Sequence, residues 1–438
     1  MSDAKELSEA DAPKVVNGEL KNDLFQTVLN PPDWLNQDYL EKALANYEHD
    51  KTLKITDCSI VPATKPGDNF ASVVFRAHIT FTSKKYQAPG EKLSYIIKVK
   101  PFLEGMKKDM MGDVPFFETE IKMYTSVLPE MQRLLSQTGD SDIIAPTLIH
   151  HGLNPDIVIF EDISKYGYTA RHEPLSYEDT HQLFVKLAKL HALSYYIQNE
   201  SILDLTQFNL GLFTTDIVAK FDLLPHSFNS FIDAVKEYGG EFNEIVQKLE
   251  ALKPVYVSLL KKIYKPNNNG FGFNVLNHGD FHIRNLLFRY EGDHLDHISF
   301  IDFQICIWAT PAIDIYYALY AMATNDVRER QHELLRAYHD RFCLVLTDLG
   351  YLKKPPSLLD LHIEILRHGF LEVFMTSSFL PIFFMDFSAF AEEAKDKQEN
   401  GFDLMIEVTK KIFKQEPVKT IVSKLLRKFL HNGLLELP

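Results

Sequence analysis

The chain has 438 residues, 45% of them hydrophobic and 24% charged, with a formal charge of −14 at pH 7. That length suffices for two lobes with ample core, the composition is ordinary for a globular protein, and the acidic balance argues against nucleic acid or an anionic membrane as a general partner. Its cysteines, Cys58, Cys306 and Cys343, are odd in number and lack C-x-x-C spacing, which points to buried thiols in a reducing compartment, not to a disulfide framework or zinc site.

Residues 1–20 are polar, contain no apolar signal-peptide core and are expected to be disordered. Pro31-Pro32-Asp33 opens a helical pattern through Trp34, Leu35, Tyr39, Leu40 and Leu44, with Asp33 as its cap. From Leu53 the period changes. Leu53–Val61, Ala71–Phe81 and Lys92–Val99 carry the β-branched and aromatic residues of strands. Turns are expected at Pro66-Gly67-Asp68-Asn69 and over Tyr86 to Gly90. Three antiparallel strands with a Gly-containing first turn suit a lobe that covers a nucleotide. Backbone N–H groups of Gly67 to Ser72, with Asn69 between them, would then approach phosphates. One glycine is weaker than a G-x-G-x-x-G loop, and by itself the segment reads as an ordinary turn.

Lys98 lies in the apolar strand Tyr95-Ile96-Ile97-Lys98-Val99, where a charge is costly without a partner. Lys100 shares its facing by strand alternation, so an edge strand with two solvated lysines is the blander reading. Pro115–Gln137 has helical period, and Glu118 or Glu120 could pair with Lys98. Pro129 is expected to kink or end that helix. Ile143–Gly152 and Ile157–Phe160 complete the strands of a first lobe spanning 21–162, and Gly167 lets the chain turn away.

A mainly helical second lobe is expected over 163–438. Tyr177–Gln198 reads as one amphipathic helix whose His181 and His191 are packing or surface residues. Asp204–Gly240 reads as an irregular Phe-rich insertion over the active site, and Glu241–Tyr264 as a single helix before the Pro266-Asn267-Asn268-Asn269-Gly270 loop. No uninterrupted apolar run reaches membrane-spanning length. In Phe370–Phe387 the residues Glu372, Pro381 and Asp386 intervene, so a buried helix pair or pocket wall is expected, in a soluble cytoplasmic protein with no membrane partner.

The decisive stretch is Val275–Gln304, VLNHGDFHIRNLLFRYEGDHLDHISFIDFQ. Asp280 and Asn285 have the D-x-x-x-x-N spacing of a kinase catalytic loop, where the Asp receives the substrate hydroxyl's proton and the Asn holds a magnesium ion. Asp302 stands where a second metal-binding carboxylate belongs. Leu286–Tyr290 and His297–Ile301 read as a hairpin around Glu291-Gly292-Asp293, which would return Asn285 and Asp302 to one end. His278 is expected to shape the loop, with a weaker alternative as the base. A metallohydrolase built on His278, His282, His294 and His297 is a rival, but the Glu of H-E-x-x-H is missing.

HGDFHIRNLLF followed by ISFIDFQ resembles the insect ecdysteroid kinase-like family, relatives of aminoglycoside and choline phosphotransferases. GDNFASVVFR from Gly67, SYIIKVKP from Ser94, FETEIKMYTSVLP from Phe117 and PAIDIYYALY from Pro311 match the same pattern in order over most of the chain. The resemblance implies an α+β, bilobal protein-kinase-like fold that uses ATP and Mg2+ to phosphorylate a small-molecule alcohol. It favours the phosphate-binding reading of the turn carrying Asn69 and Ser72. It selects Lys98 as the phosphate lysine and Glu120, framed by Phe117 and Tyr124, as its partner. It places the adenine-binding hinge at Glu161-Asp162-Ile163, through backbone groups, and makes Asp314 a clamp on the catalytic loop.

The expected acceptor is a hydrophobic alcohol such as an ecdysteroid. The reason is that Phe370–Phe387 and Phe208–Phe231 are rich in Phe, with Met375 and Met385 in the former. Glu372 and Asp386 weigh the other way, toward the cationic amine of a choline- or aminoglycoside-type kinase. A non-catalytic binding protein on the same scaffold is the remaining rival, although Lys98, Asp280, Asn285 and Asp302 are all in place. Oligomeric state is not legible in the sequence.

Overall fold

The computed structural model describes residues 30–64, 72–85, 91–101, 114–214, 223–268, 272–385 and 401–437. Helix α1 (Gln37–Tyr47) is capped by Asn36, whose side chain accepts the Tyr39 N–H. The expected cap, Asp33, sits one turn earlier, where Leu35 N–H bonds Pro32 O and the chain has not yet become helical.

Strands β1 (Lys54–Pro62), β2 (Val73–Thr82), β3 (Glu91–Val99), β4 (Leu148–Leu153) and β5 (Asp156–Glu161) form one antiparallel sheet in the order β1-β2-β3-β5-β4. Period-two burial in β2 turns Val73, Phe75, Ala77, Ile79 and Phe81 to one face, where they form a core with Leu40 and Leu44 of α1. β3 lies in the middle of the sheet, with Lys98 opposite Val74 on one side and Val158 on the other. Ile97 joins the α1 core, so Lys98 points to the opposite face. The Gly67-to-Asn69 turn and the turn before β3 fall outside the described residues.

That opposite face is covered by a helix in two segments, α2 (Phe116–Lys122) and α3 (Leu128–Gln137), joined by a π turn over Met123–Val127. Leu128 N–H reaches back to Met123 O across the wide turn. Pro129 therefore falls in the first turn of α3, where its missing N–H costs little, and the helix resumes instead of ending.

The remainder is helix-rich. A 3-10 turn (Ile163–Tyr166) and β6 (Thr169–Ala170) lead into α4 (Tyr177–Asn199), capped by Ser176. The region expected to be irregular contains α5 (Leu223–Lys236), in which Pro225 is tolerated because it lies in the first turn. Its Phe228 stacks on Tyr256 with ring centroids 4.0 Å apart, and Phe231 meets Phe413 at 5.1 Å. These rings are core, not a cover over the active site. The single helix expected over Glu241–Tyr264 is two, α6 (Asn243–Leu252) and α7 (Tyr256–Ile263), separated at Lys253-Pro254-Val255, where proline removes a helix donor.

Strand β7 (Val275–Asn277) pairs with β10 (Ile307–Ala309), and β6 with the hairpin of β8 (Leu286–Glu291) and β9 (His294–Phe300). Then come α8 (Ala312–Ala321), α9 (Asn325–Glu329), α10 (Gln331–Asp348) and α11 (Leu358–Arg367). Helices α12 (Phe370–Phe374) and α13 (Leu380–Phe383) are joined by a second π turn, and α14 (Gly401–Lys414) and α15 (Glu416–His431) close the chain. The fold is α+β and bilobal: a small antiparallel sheet with its helices, then a larger helical body. Among the described residues, no helix is long and apolar enough to cross a membrane.

Candidate active site

The buried face of β3 delivers Lys98 Nζ to three oxygens: Glu120 Oε2 at 2.6 Å, Asp302 Oδ1 at 2.5 Å and Gln304 Oε1 at 3.4 Å. Burial alone would lower the ammonium's pKa, but the two carboxylates outweigh it and raise the value. Lys98 thus stays charged in a place where an unpaired charge would be prohibitive. Burial pushes the Glu120 carboxyl up, against the pull of Lys98 and with help from Asp302. Its second oxygen, Oε1, is buried without a hydrogen-bond partner among the described residues. Glu118, the other candidate, is exposed, and Lys100 pairs with Asp156 at 3.2 Å away from this cluster.

The catalytic segment leaves β7 at His278, bends at Gly279 and reaches Asp280. Gly279 has φ +85°, and a Cβ there would stand 2.1 Å from Ile305 O. Only glycine fits, both in conformation and in space. Asp314, in the first turn of α8, accepts the His278 and Gly279 backbone N–H groups at 2.6 and 3.0 Å. His191, from the middle of α4, meets the same carboxylate at 3.1 Å and Tyr338 Oη at 2.8 Å. His191 is therefore neither surface nor simple packing. Its partners lie more than a hundred residues away, so spacing within α4 carries no sign of them.

The His278 ring bonds Ile301 O through Nε2 at 2.8 Å and accepts the Asp280 N–H on Nδ1 at 3.4 Å. Both nitrogens are spent on holding the loop. The Asp280 carboxylate stays partly exposed, 3.4 Å from His282 Nε2. Burial raises its pKa, but the imidazoles of His282 and His278 and the Asn285 amide outweigh that and hold it below the usual carboxylate value. Asn285 donates through Nδ2 to Asp280 O at 2.9 Å and Oδ2 at 3.2 Å, which leaves its Oδ1 as the atom able to meet a cation.

The β8–β9 hairpin turns at Gly292, pairs Leu286 with Phe300 and lets Ile301 N–H bond Asn285 O at 3.0 Å. Asn285 and Asp302 thereby return to the same end. Asp302 has φ +69°, in the left-handed region that Asp tolerates better than most residues. Phe303 behind it is buried between the His278 ring, 4.8 Å away, and Tyr124 of the π turn, 5.8 Å away.

Of the remaining expected residues, Asn69 lies outside the described residues, and Ser72 is buried immediately before β2. The Asp162 side chain caps the 3-10 turn through Ser164 N–H and bonds Arg76 at 2.8 Å and Ser94 at 2.9 Å. It fixes the link between the lobes and leaves only backbone groups for a base edge. Asn285 Oδ1 and the Asp302 carboxylate are hard oxygen donors. Such a pair suits Mg2+ shared with phosphate oxygens, since that ion keeps several non-protein ligands. Among the described residues, no group of three or more His, Cys, Asp or Glu could hold a metal ion by itself. His297, one of the four histidines of the metallohydrolase rival, bonds Asp142 at 3.2 Å.

In the aromatic stretch, Phe374 and Met375 are fully buried core, and Phe213 packs on Phe374 at 5.0 Å. Glu372 is also buried and accepts from Tyr316 at 3.2 Å, Tyr320 at 2.6 Å and Lys428 at 2.8 Å. It is already neutralised and offers nothing to a cationic amine. Asp386 lies outside the described residues.

A lysine held by a helix glutamate, an aspartate on a loop clamped from below, and an amide–carboxylate pair beside it define a phosphotransferase of the protein-kinase-like kind. Their order along the chain is that of one family. The chain belongs to the ecdysteroid kinase-like family, whose sequence pattern matches residues 66–351. No curated protein sequence matches it. Among solved structures it is similar to the ADP-bound aminoglycoside phosphotransferase APH(2'')-Ib, at 16% identity and TM-score 0.34 over 75% of this chain and 95% of that one. It is similar to the macrolide 2'-phosphotransferase MphH of Brachybacterium faecium, at 12% identity and TM-score 0.35 over 85% and 97%. An ethanolamine kinase of Plasmodium vivax gives 14% identity and TM-score 0.35 over 88% and 91%.

Proposed function

We propose that the protein transfers the γ-phosphoryl group of ATP to a hydroxyl of a largely apolar alcohol, such as an ecdysteroid, in hormone inactivation or detoxification. The observation that carries this reading is the set of contacts that ties Lys98 to Asp302, Asn285 to Asp280, and Ile301 N–H to Asn285 O, from segments as far apart as β3 and the end of β9. Asp280 orients the acceptor hydroxyl and takes its proton late in the transfer, since its carboxylate is ionised at neutral pH and partly exposed. Lys98, steadied by Glu120, binds the α- and β-phosphates. Asn285 and Asp302 would hold magnesium, which would offset the negative charge of the phosphates. His278 and Asp314 keep the loop in register and touch no reacting atom. The turn bearing Asn69 and Ser72 would cover the phosphates, and backbone groups beside Asp162 would take the adenine.

The test is Mg2+-dependent transfer from γ-labelled ATP to a panel of steroid alcohols, plant-glycoside alcohols, choline and aminoglycosides. Phosphorylation of the steroid or glycoside members is the expected result. Efficient turnover of choline or aminoglycosides with none of the others would overturn the acceptor assignment.

A further inference from the structure

A cavity of about 190 Å3 opens on the helical lobe between the catalytic loop and the end of α8. Ile283 of the catalytic loop forms one wall, Met322 and Ala323 another, and Leu380 and Phe384 of the aromatic stretch a third. Ile283 is three residues beyond Asp280, at most about 10 Å of extended chain. The wall it forms therefore belongs to the same loop as that carboxylate.

The charge lining the cavity is distinctive. Arg328 lines it, together with His172, Thr324 and Asn325, and no carboxylate does among the described residues. The Arg328 side chain is buried, and among the described residues no Asp or Glu forms an ion pair with it. One nitrogen, Nη1, bonds Ala323 O at 2.6 Å and Leu319 O at 3.3 Å, closing the carbonyl end of α8. Nη2 has only a long contact to Asn325 at 3.5 Å, and Nε is buried without a partner. A single nitrogen does the capping, so donors remain on a guanidinium that no carboxylate contacts among the described residues, Asp326, Glu329 and Glu372 acting on it only from farther off and the Tyr320 ring lying 5.4 Å away. A buried guanidinium with an unpartnered donor is costly, and a lone-pair-bearing ligand would complete it.

We propose that this cavity is the acceptor subsite, taking the apolar body of a neutral or anionic alcohol with an oxygen acceptor set against Arg328. The inference rests on the phosphotransferase reading above and narrows its substrate class. The volume is below the ~300–1,000 Å3 that encloses a whole drug-sized ligand, so one ring or side chain enters while the rest lies in the open cleft. A quaternary or polycationic amine is disfavoured, because it would meet a buried cation and, among the described lining residues, no carboxylate.

A congeneric series tests this: 4-(hydroxymethyl)benzoate, 4-(hydroxymethyl)acetophenone and 4-methylbenzyl alcohol, with choline as the cation. The full chain is titrated with each in the presence of Mg-ATP, and phosphate transfer is followed separately. The carboxylate and ketone should bind about tenfold more tightly than the methyl compound, as expected for one hydrogen bond to a charged donor, and choline should not bind. Arg328→Met should erase that preference, and equal affinities across the series, or a preference that survives in Arg328→Met, would overturn the proposal. Should Arg328→Met fail to fold, Phe384→Trp, at an exposed rim position, should weaken all three aromatic alcohols, and unchanged affinities there would equally overturn it. The two readings fail differently. Preferential binding with no transfer by the wild type sinks the phosphotransferase reading, whereas transfer without the preference sinks the subsite alone.

Discussion

Asp314 accepts the backbone N–H of His278 at 2.6 Å with the same oxygen that meets the His191 ring at 3.1 Å. The residue at the front of the catalytic loop is thus anchored to two helices of the larger lobe by one fully buried carboxylate. Asp314→Ala would strand the His278 and Gly279 N–H groups and the His191 ring, at about 1–3 kcal/mol for each unsatisfied donor. Chemical denaturation should register a loss of several kcal/mol, and a change below about 1 kcal/mol would show that water or a neighbour replaces the clamp.

Asp280→Asn keeps the shape of the side chain and its contact with Asn285 while removing the proposed proton acceptor. Turnover should fall by about 10²–10⁴-fold, with nucleotide affinity little changed. Initial rates paired with a nucleotide titration separate the two. Near-normal turnover would mean that another group takes the proton.

Removing the Asp302 charge should harm magnesium use more than removing the neutral Asn285 amide. Asp302→Asn is expected to raise the half-saturating Mg2+ concentration by more than the ~10-fold that even outer partners of metal ligands can cost, with Asn285→Ala behind it. Activity against Mg2+ at fixed ATP measures the order. Identical magnesium curves for wild type and Asp302→Asn would place the metal elsewhere.

A separate pH effect is expected from Asp142, which bonds Lys186 at 2.7 Å, Lys189 at 2.9 Å and His297 at 3.2 Å. Burial pushes its carboxyl up, but the two lysines more than offset this and hold it down at about 2. Burial also pushes Lys186 down, to about 8, because it is the more deeply buried partner. For Asp142 the folded value lies below the unfolded one near 3.9. Its stabilisation is therefore complete above about pH 4 and is lost as the pH falls from there toward 2, on the order of 2 kcal/mol in all. Melting temperatures of wild type and Asp142→Asn should converge over that interval, and parallel curves would refute the assignment.

The parts of the site carried by short-range spacing were legible in the sequence. Asp280, Asn285 and Asp302 sit in one segment, and the hairpin between Asn285 and Asp302 follows from turn chemistry and strand alternation. Lys98 could not be separated from Lys100 by alternation, since both face one way. The family resemblance was needed, and the reason for the choice is tertiary: Lys98 lies within the sheet under α2, whereas Lys100 is past its end. His191 and Glu372 were invisible because their partners come from distant helices. Where an irregular segment and a single helix are expected, the structure has the α5 helix and a break at Pro254, one proline being harmless in a first turn and the other disruptive between two helices.

The positive φ of Asp302 means that this position has two duties, one of chemistry and one of backbone shape. Substitutions there do not form a simple scale of lost charge. Asparagine removes the charge but keeps the side-chain type that settles most readily into a left-handed residue. Glycine relaxes the backbone and removes the carboxylate. Alanine removes the carboxylate and opposes the conformation together, so a dead alanine variant does not distinguish a displaced Phe303 from the loss of the proposed metal ligand. Only the asparagine–glycine comparison separates the posture of the segment from the work of its carboxylate.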